Sequence, residues 1–133
     1  MKTLAIRQPW ITYIAEGTKT VEVRTWRTHY RGPLLLAASG RPLAHLGEDG
    51  QQHTLPAGRL VCIVDLLDVR PMTPADVPLA HVDHAPGLWA WHLANPRHVH
   101  PLAHKGRLNL YRTDPDLAVL LPDGEHYLDN IRR

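Results

Sequence analysis

Twelve prolines and nine glycines cut this 133-residue chain into short apolar runs, none long enough to carry more than one short element. "TLAI" (3–6) is a strand candidate. "QPWITYIAEG" (8–17) predicts a short helix, with Pro9 at its start, where a missing N–H costs nothing, and Gly17 at its end, able to take left-handed dihedrals. Trp10, Ile11, Ile14 and Ala15 follow helical spacing within it. From Thr20 to Trp26 the pattern switches to alternation, Val21 and Val23 on one side and Glu22, Arg24 and Trp26 on the other, which predicts a strand with one buried face. "GPLLLAAS" (32–39) is continuously apolar, as a strand covered on both faces would be. Residues 40–57 read as a loop with at most one short helix. "GRLVCIVDLLDVRPM" (58–72) is the longest strand candidate, and "TPADVPLAH" (73–81) opens with a threonine cap and a proline, predicting one or two helical turns. "GLWAWHLANPRHV" (87–99) alternates with Trp89 and Trp91 on one face, and "KGRLNLYRT" (105–113) and "LAVLL" (117–121) close the series. Five or six short strands with two or three short helices predict an α+β chain, a small β-barrel with helices at its openings.

At this length, with 44% hydrophobic residues, residues 1–133 read as one domain with a normal core. Cys62, the lone cysteine, falls in the apolar run "RLVCIVDLL", which makes it a buried hydrophobe, excludes an intramolecular disulfide and suits a reducing compartment. "MKTLAIRQPW" lacks the apolar centre of a signal peptide, and no run approaches the ~18 apolar residues of a membrane span. The expectation is a cytoplasmic protein without a membrane partner. Charge is unevenly placed. Residues 1–32 hold six lysines and arginines against two glutamates, net +4, whereas the remainder holds nine basic against eleven acidic residues, net −2. A modest positive field at one end suits a nucleotide or short strand rather than a long duplex groove.

Residues i and i+2 of a strand point the same way, so Glu22, Arg24 and Trp26 would line one face about 7 Å apart, with Lys19 in the preceding turn. Two readings stay open on the residues alone. The charges can simply pair with each other, a surface contact of about 0.5 kcal/mol. Or arginines beside a tryptophan can hold a phosphate and a stacked base, at about 1–3 kcal/mol per base. "HVHPLAH" sets His98 and His100 on one strand face with His104 after a turn, but no partner motif accompanies them, and no metal is expected. Phosphate-loop, dinucleotide and GxSxG patterns are absent, and no cofactor is implied. Trp89 and Trp91 read as core or cleft wall, and Ser39 as cleft-facing or capping.

These residues carry a resemblance. "LAIRQPW…GTKTVEVRTWRTHYRGPLLLAAS" resembles the activating-signal-cointegrator homology (ASCH) domain of the PUA-like superfamily. Gly17, Lys19, Glu22 and Arg24 meet its GxKxxExR pattern; the flanks "RQPW" and "WRTHYRG", then "VDLLDV", "GLWAWHLANPR" and "KGRLNLY", extend the likeness over nearly the whole chain. The resemblance implies a PUA-like β-barrel with a cleft lined by that pattern and a partner of single-stranded RNA or DNA, or a nucleotide or modified nucleoside. In that cleft Arg7, Arg24 and Arg27 would hold phosphate or base edges, Trp10 or Trp26 would stack, Gln8 and Ser39 would contribute from the flanks, and Lys19 and Glu22 would sit deepest. Glu22, an acceptor, suits an exocyclic amino group such as cytosine's. The alternative is a hydrolase, with Glu22 as general base and Lys19 as stabiliser, acting on N4-acetylcytidine-like nucleosides or as a ribonuclease. The amidohydrolase branch is similar to GxKxxTxR with a threonine nucleophile. Glu22 stands at that threonine position and cannot copy the acyl-threonine route.

Overall fold

The computed structural model describes residues 1–131. Eight strands, β1 (Lys2–Arg7), β2 (Val21–Arg24), β3 (Gly32–Ser39), β4 (Leu43–Leu46), β5 (Gln52–Leu55), β6 (Arg59–Pro71), β7 (Trp89–His98) and β8 (Leu110–Arg112), accompany two short helices, α1 (Trp10–Glu16) and α2 (Val77–Ala80). Six strands form one sheet in the order β2-β7-β6-β3-β1-β8, curled into a half-barrel. Only β1 and β3 pair in parallel; the other neighbours are antiparallel. This is the small α+β, PUA-like barrel expected from the sequence.

The unbroken apolar run of β3 explains its central place. Leu34, Leu36 and Ala38 point into the main core, beneath Ile11, Ile14 and Ala15 of α1. Leu35 and Ala37 point the other way, onto Leu60, Ile63 and Val99. Both faces are therefore dry, and each such leucine contributes about 1.5–3 kcal/mol. Gly17 ends α1 with φ +83°, its N–H returning to the Tyr13 and Ile14 carbonyls, a turn that L side chains adopt at a cost. The chain then reverses into β2. A small third cluster, Val21, Met72, Ala80 and Ala90, fastens α2 against β2.

Three local expectations change. Residues 40–57 hold the β4–β5 hairpin, a separate two-stranded sheet whose mostly exposed residues offer no hydrophobic alternation to read. "LAVLL" forms no strand; Leu117 ends a 3-10 turn that Asp114 caps, and a single bridge joins Leu120 to Val99. Residues 73–81 do form the helical turns expected of them, a 3-10 turn with a Thr73–Asp76 capping box that runs on into α2. Finally, β2 stops at Arg24, so Trp26 is not in the strand with Glu22 and Arg24. Among the described residues no helix is long and apolar enough to cross a membrane.

Candidate functional site

A cleft of roughly 620 Å³ opens where the ends of β1 and β3, the start of α1, strand β2 and the loop at 106–109 meet. Its floor is ionic. The Arg24 guanidinium donates from Nε and Nη2 to Glu22 Oε2 at 3.2 and 3.0 Å, and Nη2 also reaches the Ala5 carbonyl at 2.9 Å. Lys19 Nζ lies 3.6 Å from Glu22 Oε1, donates to the Ala80 carbonyl, and sits 5.5 Å from the centre of the Trp10 ring. Lys19 is thus enclosed by α2's last carbonyl, a carboxylate and an indole face, with its side chain 1% exposed.

Local structure explains that enclosure. The Thr20 N–H donates to Leu79 O, and His81, in the left-handed conformation after α2, approaches the Thr18 carbonyl at 2.8 Å. The 18–20 turn and the end of α2 are tied together, and Lys19 lies between them. Burial drives its ammonium pKa below the usual lysine value, while Glu22 opposes that shift through its charge and hydrogen bond, and Arg24 adds a smaller downward push.

Six of the residues singled out by sequence meet at this cleft: Arg7, Trp10, Lys19, Glu22, Arg24 and Ser39. Three lie elsewhere. Gln8 faces a buried polar network, donating to Pro56 O at 2.9 Å and Tyr127 Oη at 3.0 Å while accepting from Thr12 Oγ1 at 2.7 Å. Trp26 packs edge-on against Trp91, ring centres 4.8 Å apart, and its carbonyl accepts from Trp91 Nε1. Arg27 stacks on Trp89, 5.1 Å from the ring centre, outside the cleft. Trp91 is fully buried in the core, and Trp89 is half-buried at its margin.

The loop residues Arg107, Leu108 and Asn109 also line the cleft and were not singled out by sequence. Gly106 explains their position: a Cβ there would lie 2.8 Å from the Ala5 Cβ, so only glycine lets the loop rest on β1. The histidines of "HVHPLAH" do not converge. His98 contacts the Ala15 carbonyl and accepts from the Tyr127 N–H, whereas His104 stacks on Tyr111. Among the described residues no group of three or more histidine, cysteine or acidic side chains is placed to hold a metal ion.

Two comparisons bear on this site. A family model for the ASCH domain matches residues 4–103, a span containing most of β1, α1 and the whole Lys19–Glu22–Arg24 floor. Activating signal cointegrator 1 of Mus musculus is 37% identical over 79 residues, covering 49% of this chain and 14% of that protein's length.

Proposed function

The chain belongs to the ASCH domain family, and on that premise we infer that residues 1–133 act as one nucleic-acid-binding domain whose cleft takes a nucleotide of single-stranded RNA or DNA, or a modified nucleoside. The observation that carries this reading is the arrangement of charge. Four cationic side chains, Arg7, Lys19, Arg24 and Arg107, share the cleft with one carboxylate, Glu22. An excess of positive charge draws a phosphate-bearing ligand, while a fixed acceptor on the floor suits an exocyclic amino group. Trp10, half-buried beside Lys19, offers an indole to a base.

Fluorescence anisotropy with short single-stranded RNA and DNA at two salt concentrations tests it. Binding around micromolar at low salt, weakening as salt rises, is expected. Absence of binding at low salt, or binding unchanged in Arg24→Ala, would sink it.

One observation favours a second reading, hydrolysis in the same cleft. Lys19 is desolvated beside Glu22, and a buried amine with a lowered pKa next to a carboxylate is a common catalytic pairing. Glu22 would take a proton from water and Lys19 would stabilise the developing charge. Incubation with N4-acetylcytidine and with labelled RNA separates the readings. Turnover abolished in Glu22→Gln with binding retained supports the hydrolase.

A further inference from the structure

The ionic side chains of the cleft fall into two sets. Lys19, Glu22 and Arg24 satisfy one another on the floor. Arg7 and Arg107 stand exposed at the rim, and among the described residues neither guanidinium makes a hydrogen bond or an ion pair. The Ser39 hydroxyl likewise has no hydrogen-bond partner among the described residues, and it lines the same rim.

Backbone packing holds these three groups together. Arg7 and Ser39 are the last residues of the parallel strands β1 and β3 and are register partners. Gly40 follows with φ +78°, and a Cβ there would come within 3.3 Å of Arg7 Cγ, so the arginine stem lies across a residue without a side chain. Gly106 sets the other wall, since its absent Cβ would meet Ala5 Cβ at 2.8 Å and Ser39 Cβ at 3.6 Å. The loop therefore rests on the same strand ends and brings Arg107 to the rim. Two like charges lining one cleft mouth without a carboxylate partner make a site that a bound anion stabilises. Guanidinium forks match the tetrahedral oxygens of a phosphate, and a hydroxyl adds a further donor.

We propose that Arg7, Arg107 and Ser39 form a phosphate subsite at the mouth of the cleft, so that the ligand is a phosphorylated nucleotide with its base inward rather than a bare nucleoside. The proposal rests on the nucleotide reading of the cleft and adds the part of the ligand that the mouth selects. The phosphate has two possible sources, a terminal monophosphate or the internal phosphodiester of a strand.

Calorimetric titration of the full chain with the four ribonucleosides, their 5′-monophosphates and dinucleoside monophosphates tests it. At least one phosphorylated ligand is expected to bind roughly tenfold or more tightly than its nucleoside. The Arg7→Ala/Arg107→Ala double variant should reduce that ligand to about the affinity of the nucleoside, and an unchanged denaturation midpoint shows that the variant is folded. A gain from the dinucleoside monophosphate supports a strand phosphate, and a gain confined to the 5′-monophosphate supports a free nucleotide. Equal affinity for nucleoside and nucleotide, or a phosphate preference that survives the double variant, overturns the subsite and leaves the nucleotide reading standing. If none of these ligands, nor a short RNA strand, binds at low salt, both fall.

Discussion

Arg24 grips Glu22 through a single carboxylate oxygen, with Nε and Nη2 3.2 and 3.0 Å from Oε2. The second oxygen is left to Lys19, 3.6 Å away. Three charges with one anion between two cations fix the depth and direction of the cleft floor, and they are unequal in what they leave behind. Glu22→Gln strips both cations of their partner, one of them almost fully buried, and should cost about 3 kcal/mol. Lys19→Met removes a desolvated charge while Glu22 keeps Arg24, so its cost should be smaller, about 1 kcal/mol. Urea denaturation of both variants checks the order; a larger loss in Lys19→Met would contradict this account of the floor.

Acid should loosen the C-terminal segment. The His126 ring packs 4.6 Å from His98 and caps the turn at 127–130, its Nδ1 accepting from the Leu128 N–H. Burial foremost, and then His98, lowers its pKa below 6.5, with Glu16 and Asp129 opposing. The unfolded chain therefore takes up this proton first as pH falls. Between 6.5 and the lower folded value the unfolded state holds more protons, so stability declines on acidification through that window. His92 and His104 are shifted downward by burial and act in the same sense. His126→Asn keeps a capping acceptor but does not titrate, and should flatten the decline. Thermal melts from pH 7.5 to 5 measure it, and an unchanged slope in the variant would count against His126.

What could be read from the chain beforehand was what local pattern encodes. Period-two alternation put Glu22 and Arg24 on one face, and the continuous run of β3 announced a strand covered on both sides. Trp26 was misassigned to the strand because alternation does not say where pairing ends; β2 has β7 beside it only as far as Arg24. Gln8 lies between two residues that do face the cleft, Arg7 and Trp10, and nothing in the sequence marks its turn toward Tyr127. Arg107 was invisible for a different reason. Its place depends on a glycine fitting against Ala5, a contact between residues far apart in the sequence. The β4–β5 hairpin escaped because its residues are mostly exposed on both faces, leaving no burial period to detect.

Cys62 should be chemically silent in the folded protein. It is fully buried in the main core, and desolvation pushes its thiol up to about 12. The thiolate is the reactive form, and neither it nor access is present near neutral pH. A chromogenic disulfide reagent should react with no thiol in native buffer and with one after guanidinium denaturation. Prompt labelling of the native protein would show that the sheet opens around β6.

Gly106 separates the shape of the cleft from its charge. Gly106→Ala adds one methyl group and changes no ionic side chain, yet that methyl would lie 2.8 Å from Ala5 Cβ on a paired strand that cannot easily move. The loop at 105–109 must give instead, carrying Arg107, Leu108 and Asn109 away from the rim. Leu108 is 90% exposed and the Arg107 guanidinium is unpaired among the described residues, so the loop is held chiefly by the Gly106 contact and by the hydrogen bond between the Arg107 backbone and the Tyr111 hydroxyl. The expected stability cost is modest, about 1 kcal/mol, because a solvent-exposed loop relaxes more readily than a core. Loss of affinity for a phosphorylated ligand should exceed it in proportion, reaching roughly tenfold. Comparing denaturation midpoints with titrations on the same preparation decides the point. A variant that loses stability but binds as the parent does would show that the loop's seat on β1 does not shape the cleft.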